Sequence, residues 1–306
     1  MKIAWISDLD FRVSGYFNIS SSLCTGLAKR GHEIKVVGLG YRGEQHNFPF
    51  SIIPIRNFEE AKALLLNLYN LWHFDVCVVA LDIPQQTRFL EIKQNIPFKY
   101  VGIMPIESDP LCITWASILL KMDKRLIISE FGVEEARKIG VSATYLPIGI
   151  DTNLWKIPSK EEREKLRTSF GFDKNTFAIL TVADNQERKN LSKAFEIIGE
   201  FAKDKPNVKY MLVTREHCPV GWELRDMALM YGINNQLMIF ERGMDFKNLW
   251  ALYAVSDCFL LSSKAEGLNM CLIEAMSVGV PCVAVNSTGM QELLSEGRGF
   301  LADYNY

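Results

Sequence analysis

The chain has 306 residues, 48% hydrophobic and 23% charged, with a formal net charge of −2. That length suits two domains of ordinary size with real cores. The near-neutral balance gives no electrostatic case for nucleic acid as a partner. Seven cysteines, odd in number and without a C-x-x-C pair, read as buried thiols of a reducing compartment, not as disulfides or zinc ligands. Met1-Lys2 leads into only five strand-like residues, Ile3–Ser7, too short for a signal-peptide core. No stretch has the roughly 20 apolar residues of a membrane span. A cytoplasmic enzyme is expected.

Strand Ile3–Ser7 opens a series in which short apolar strands alternate with amphipathic helices. A helix over about Ile19–Arg30 ends at Gly31-His32, a turn, and Glu33–Gly38 returns as a strand. Helix Ala61–Trp72, strands Val76–Leu81 and Tyr100–Met104, helix Leu111–Lys121, strand Arg125–Ser129, helix Val133–Ile139 and Ala143–Leu146 complete the first series. Pro147–Thr176, with its charged run Lys160–Lys165, breaks the pattern and is where the chain is expected to pass between domains, near residue 150. The alternation restarts: strand Ala178–Val182, helix Leu191–Ala202, strand Tyr210–Thr214, helix Trp222–Tyr231, strand Leu237–Phe240, helix Phe246–Ala254, strand Cys258–Leu261, helix Met270–Val278 and strand Cys282–Val285. Repeated β-then-α units imply parallel, doubly wound sheets. Such sheets bind ligands at the carboxyl ends of their strands.

The stretch richest in chemistry is Glu266-Gly267-Leu268-Asn269-Met270-Cys271-Leu272-Ile273-Glu274. Glu266 lies in the loop after a strand, and Glu274 about one turn into the next helix. A helix start offers unpaired N–H groups and a positive dipole end, a seat for phosphate. A carboxylate on that helix can accept hydrogen bonds from a ribose diol. Arg188 and Lys189 follow another strand of the same domain, where two adjacent cations suit a diphosphate leaving group. The residues alone also allow solvated charges at all four places.

This Glu-x7-Glu element, with Gly after the first Glu, resembles that of the family 4 retaining glycosyltransferases. The resemblance implies the GT-B fold, two Rossmann-like doubly wound domains facing a cleft. Residues 1–150 would form the acceptor-side domain and 151–306 the nucleotide-sugar domain. It implies a nucleotide-diphosphate sugar as donor substrate, with no cofactor and no metal, and an acceptor that is a glycan, a lipid-linked or small molecule, or a protein. Arg188 and Lys189 would hold the donor phosphates, Glu274 the ribose, Glu266 the transferred sugar, and the backbone N–H groups of Gly267, Leu268, Asn269 and Met270 the sugar and phosphates. Gly15, in Ser14-Gly15-Tyr16, matches the family's glycine-bearing loop beside the donor phosphate. Where many members carry a histidine near the transferred sugar, this chain has Glu107 in Pro105-Ile-Glu-Ser-Asp109. Glu107 would orient or deprotonate the acceptor, unless it is solvated and Asp109 caps the helix at Leu111. Asp151 resembles the Asp of the family's Gly-Val-Asp element and reads as structural. The family's second domain usually runs on past Gly299-Phe300-Leu301 to a helix that crosses back, which a sequence ending at Tyr306 would lack.

Asp8-Leu9-Asp10 has the form of a metal-binding D-x-D, and its match is taken as chance. Lys121, Lys124 and Arg125, flanking Leu119–Met122, are suited to lipid headgroups but equally to an ordinary helix–strand junction, so peripheral membrane contact stays open. A sugar-nucleotide epimerase, a phosphorylase of the same fold and a non-catalytic nucleotide-sugar-binding relative are the alternative readings. No G-x-x-x-x-G-K-[ST] loop is present, which removes support for an ATPase or GTPase.

Overall fold

A computed structural model describes residues 1–10, 15–93 and 96–304. The chain divides into two compact units, Met1–Ile148 and Gly149–Tyr306, each built on one parallel sheet.

In the first unit the strands are β1 (Lys2–Asp8), β2 (Glu33–Leu39), β3 (Ser51–Ile55), β4 (Val76–Ala80), β5 (Lys99–Met104), β6 (Lys124–Ile127) and β7 (Thr144–Tyr145). Their order in the sheet is β3-β2-β1-β4-β5-β6-β7. The chain winds outward in one direction from β1 and in the other from β4, so the strand order reverses between those two. The helices are α1 (Gly15–Lys29), α2 (Phe58–Trp72), α3 (Ile83–Lys93), α4 (Ala116–Leu119) and α5 (Glu130–Lys138). Central strands buried on both faces read as continuous apolar runs; Ile3 to Ile6 are all at most 3% exposed.

Three differences from the sequence expectation have local causes. β3 carries Pro54, which cannot donate to a ladder, and it is tolerated because β3 is an edge strand. α3 was hidden by its polar content. Pro84 sits in its first turn, where no intrahelical donor is needed. Gln86 is fully buried, its amide donating to the carbonyls of Leu81 (2.7 Å) and Ile103 (3.1 Å). The helix expected over Leu111–Lys121 is instead a 3-10 turn at Ile113–Trp115 followed by the single turn of α4. The Leu111 N–H goes to Glu135 Oε2 at 3.0 Å, so Asp109, which is exposed, caps nothing there. Arg125 Nη1 donates to the carbonyls of Leu119 and Met122, the bond pattern of a helix–strand junction.

The second unit begins with a connecting segment in which the Asp151 carbonyl accepts from the Leu154 and Trp155 N–H groups and its carboxylate from Asn153 (2.9 Å). The charged run forms α6 (Lys160–Ser169), started by a reciprocal Ser159–Glu162 cap. Its Arg163 and Arg167 reach Asp257 at 2.6 and 3.0 Å, which fastens α6 to the sheet. The strands are β8 (Phe177–Val182), β9 (Val208–Thr214), β10 (Leu237–Glu241), β11 (Cys258–Leu261), β12 (Cys282–Val285) and β13 (Phe300–Ala302), in the order β10-β9-β8-β11-β12-β13. Here the reversal lies between β8 and β11. The remaining helices are α7 (Leu191–Ala202), α8 (Leu224–Met230), α9 (Phe246–Val255), α10 (Met270–Val278) and α11 (Thr288–Leu294). In α7 the buried residues Leu191, Ala194, Phe195, Ile198 and Ala202 recur at helical spacing, one apolar stripe laid on the sheet. Of the seven cysteines, Cys24, Cys77 and Cys282 are buried, while Cys112 is exposed, which corrects the expectation of buried thiols at that position.

Candidate functional site

Adjacent strands β8 and β11 place their following loops side by side at the carboxyl edge of the second sheet. The loop after β8 enters a 3-10 turn, Glu187–Lys189, and leaves it through Asn190 in the left-handed region (φ 52°) before α7 starts. The loop after β11 carries Glu266 and runs into α10. Ser262 Oγ donates to the carbonyls of Lys189 and Asn190, and the Lys264 N–H to that of Arg188. The two loops are therefore joined by the Ser262 hydroxyl and one backbone bond.

Across this seam Lys189 Nζ lies 2.6 Å from Glu266 Oε1, and Arg188 Nη1 lies 2.9 Å from Oε2. Arg188 Nη1 also donates to the Ala265 carbonyl at 2.7 Å. The Glu266 side chain is 4% exposed. Burial alone would push its pKa up, but Lys189 and Arg188 outweigh it and hold the carboxyl below the ordinary range. Arg188 and Lys189, read from the sequence as diphosphate ligands, are thus also the counter-ions of Glu266.

Beyond Glu266 the chain stays close to the sheet. Gly267 and Asn269 are buried, Leu268 and Met270 half-buried. Among the described residues the N–H groups of Gly267, Leu268, Asn269 and Met270 donate no hydrogen bond. The Asn269 side chain caps α10 by accepting from the Leu272 N–H at 2.8 Å. α10 ends at Gly279, whose φ of 81° suits a residue without Cβ. Glu274, in the middle of α10, is 5% exposed. Its Oε2 accepts from the Tyr253 hydroxyl at 2.8 Å. Burial, only partly offset by that bond, pushes its pKa up to about 7. A carboxyl raised this way binds more protons folded than unfolded. It therefore costs the fold stability as pH rises from the ordinary carboxylate range through about 7.

The sequence reading missed α11, which holds Glu266 from behind. Thr288 Oγ1 accepts from the Glu266 N–H at 2.9 Å, and the Gly289 N–H donates to the Glu266 carbonyl at 3.0 Å. Thr288 sits at φ 47°, a left-handed conformation that a β-branched residue adopts only when its surroundings enforce it. A Cβ on Gly289 would lie 2.5 Å from the Gly267 carbonyl oxygen and 2.9 Å from that of Glu266. Both are backbone atoms that cannot swing away. Gly289→Ala is therefore expected to displace the Glu266–Gly267 backbone. A lowered melting temperature checks this, and a variant as stable as the parent contradicts it.

At the carboxyl edge of the first sheet, Asp8 ends β1, Asp82 follows β4 and Glu107 follows β5. Tyr16, in the first turn of α1, donates to Asp82 Oδ1 at 2.6 Å. Its phenol is pushed well up by burial first, then by Asp82, Glu107 and Asp8. Glu107 is half-buried and so belongs to a group of carboxylates gathered round one tyrosine, a setting the sequence did not disclose. Asp8 Oδ1 accepts from the Asp10 N–H, a local loop bond. Gly15 opens α1, and among the described residues nothing lies within 4 Å of where a Cβ would stand; its neighbour Ser14 lies outside the described residues. Among the described residues no group of three or more His, Cys, Asp or Glu side chains is arranged to hold a metal ion, and no helix is long and apolar enough to cross a membrane.

Residues 162–305 match the model of the family described as Glycosyl transferases group 1. The chain is 24% identical over 210 residues to the GDP-mannose-dependent alpha-(1-6)-phosphatidylinositol monomannoside mannosyltransferase of Mycolicibacterium smegmatis, covering 66% of this chain and 51% of that one. It is 27% identical over 166 residues to the mannosylfructose-phosphate synthase of Agrobacterium fabrum, covering 50% and 34%. The aligned part thus spans about a third to a half of these relatives' length. In three dimensions it is similar to a sucrose-phosphate synthase from Thermosynechococcus elongatus, with a TM-score of 0.83, 15% identity and coverage of 99% of this chain and 86% of that one. It is also similar to HepE of Anabaena in complex with UDP and glucose, with a TM-score of 0.76, 20% identity and the same coverage. Two Rossmann-like units of this topology give the chain the GT-B fold, and its second unit is matched almost throughout by the glycosyl transferases group 1 family.

Proposed function

We propose that this chain is a retaining, family 4-type glycosyltransferase that moves a sugar from a nucleoside-diphosphate sugar to an acceptor hydroxyl. The observation that carries the reading is the assembly at the β8–β11 edge: Arg188 and Lys189 closed on Glu266, beside the undonated N–H groups that open α10 and one turn before Glu274. The diphosphate would lie on Arg188, Lys189 and the α10 N-terminus, where fixed positive charge meets the charge that grows on the leaving group. Glu274 would accept from the ribose hydroxyls and Glu266 from a hydroxyl of the transferred sugar. Gly15 would let the first unit's backbone approach the donor phosphate. Front-face attack assisted by the leaving phosphate needs no protein nucleophile, so Glu266 stays a carboxylate held by its two cations.

The relatives bear on substrate class by their names. One is a GDP-mannose-dependent enzyme and one structure holds UDP and glucose, so both uridine and guanosine donors are candidates here. The test is release of free nucleoside diphosphate from a panel of UDP-, GDP- and ADP-sugars, with and without sugar and lipid-linked acceptors, in buffer containing EDTA. Acceptor-dependent release with retention at the anomeric carbon is expected. Isomerisation of the donor without release would identify an epimerase instead, and binding without turnover on any acceptor a non-catalytic relative. Glu274→Gln should weaken nucleoside-diphosphate binding by about tenfold or more at mildly alkaline pH, since a bond to a charged acceptor is worth about 1.5–3 kcal/mol. Titration calorimetry reads this directly; unchanged affinity in a folded variant contradicts the assignment.

A further inference from the structure

The Glu274 carboxyl is not held by its own helix. It accepts from a tyrosine 21 residues earlier, on α9. Tyr253 is fully buried and its ring is fixed on two sides: edge-on to Trp155 at 5.5 Å and against Phe259 of β11 at 5.8 Å. Trp155 in turn is braced edge-on by Phe246 at 4.9 Å, and its carbonyl accepts from Ser277 of α10. A ring held within this aromatic cluster, drawn from different elements, fixes where its hydroxyl stands, between Glu274 and Cys271 of α10. The hydroxyl donates to Glu274 Oε2 at 2.8 Å.

We infer that Tyr253 is a positioning residue for nucleotide recognition: its hydroxyl bond to Oε2 orients the Glu274 carboxyl as acceptor for a ribose diol. The inference rests on the reading of Glu274 as the ribose ligand. A phenol that donates to a carboxylate favours its charged form, and here the bond opposes the burial that raises Glu274 to about 7. The titratable groups facing Glu274 are Tyr253 from α9 and Cys271 from α10; Lys189 and Glu266 reach only as far as Cys271. Burial holds both the Tyr253 phenol and the Cys271 thiol high, so neither changes charge near neutrality. Ribose recognition therefore follows the titration of Glu274 itself.

The experiment compares the affinities of a nucleoside diphosphate and its 2′,3′-dideoxy analogue, for UDP and GDP, across the range from about pH 6 to pH 9. Their ratio isolates the diol, because titration of the diphosphate is common to both. In the parent protein the ratio should rise with pH through about 7. In Tyr253→Phe the rise should move to higher pH, and near neutrality the ratio should fall by about 3–10-fold, the scale of one hydrogen bond. Replacing Tyr253 by 3-fluorotyrosine, a stronger donor of nearly the same shape, should move the rise to lower pH, and it serves even if Tyr253→Phe folds poorly. A Tyr253→Phe ratio lowered equally at every pH, or a fluorotyrosine profile that does not move, overturns the inference and leaves Glu274 in place. A ratio of one in the parent, unchanged by Glu274→Gln, removes the ribose reading itself and the inference with it.

Discussion

Replacing Arg188 and Lys189 together by alanine lowers turnover by at least about 10²–10³-fold, the cost of losing one fixed donor at a developing charge. Donor affinity falls less, because the charge on the diphosphate grows as the bond to the sugar breaks and the cations gain most at that point. The geometry adds a second effect. The same cations neutralise Glu266, whose side chain is 4% exposed. Breaking a buried pair by removing one partner typically costs about 3–5 kcal/mol, because a charge is left without compensation. Arg188 is 35% exposed and Lys189 15%, so water softens that cost. The double variant should melt lower as well as turn over more slowly. Adding Glu266→Gln separates the two effects: it should restore the melting temperature and leave transfer impaired. A triple variant that regained transfer would show that the pair serves only to hold Glu266.

Glu107→Gln carries the second large expected effect. On the proposed reading its carboxylate orients or deprotonates the acceptor hydroxyl, at the place where many relatives carry a histidine. Loss of that assistance costs roughly 10²–10⁴-fold in turnover. Nucleoside-diphosphate affinity should stay within error, because the side chains proposed to hold the nucleoside diphosphate, Arg188, Lys189 and Glu274, belong to the second unit. Tyr16 offers an internal control: its hydroxyl is bonded to Asp82, not to Glu107. Tyr16→Phe should therefore perturb transfer less than Glu107→Gln. Single-turnover rates on the true acceptor decide the matter, and near-parental rates for Glu107→Gln would leave it no part in transfer.

Much of the architecture was legible because parallel strands and their covering helices write simple patterns. The strand cores of β8 to β12, and helices α7, α9 and α10, lie where apolar runs and stop signals put them. What escaped has physical reasons. α3 buries a glutamine that satisfies two carbonyls, so its inward face does not look apolar. The helix expected at Leu111 is a 3-10 turn and the single turn of α4, and the Leu111 N–H goes to Glu135, 24 residues further on, a tertiary bond that no local pattern discloses. At the site, Glu266 and Glu274 were visible by their spacing and Arg188 and Lys189 by their place after a strand, whereas the pairing of these cations with Glu266 was not. Lys189 and Arg188 lie 77 and 78 residues from Glu266, and their contact depends on β8 pairing with β11. Tyr253 reads as one more apolar position in α9, since its hydroxyl bond is a tertiary event. Thr288 and Gly289 carried one faint signal: a glycine directly after a β-branched residue, four positions beyond the end of β12, where close backbone approach is a reason for a missing side chain.

The central claim is that the β8–β11 edge of the second unit holds a nucleoside-diphosphate sugar. Titration calorimetry of the parent protein with UDP-, GDP- and ADP-sugars in EDTA tests it most directly, with the melting temperature followed in parallel, because a ligand that binds only the native state raises it by mass action. At least one donor should bind. Its affinity should fall in Glu274→Gln and in the Arg188, Lys189 and Glu266 triple variant, and stay unchanged in Glu107→Gln. Failure of all three donors to bind, or binding that the second-unit variants leave intact, would contradict it.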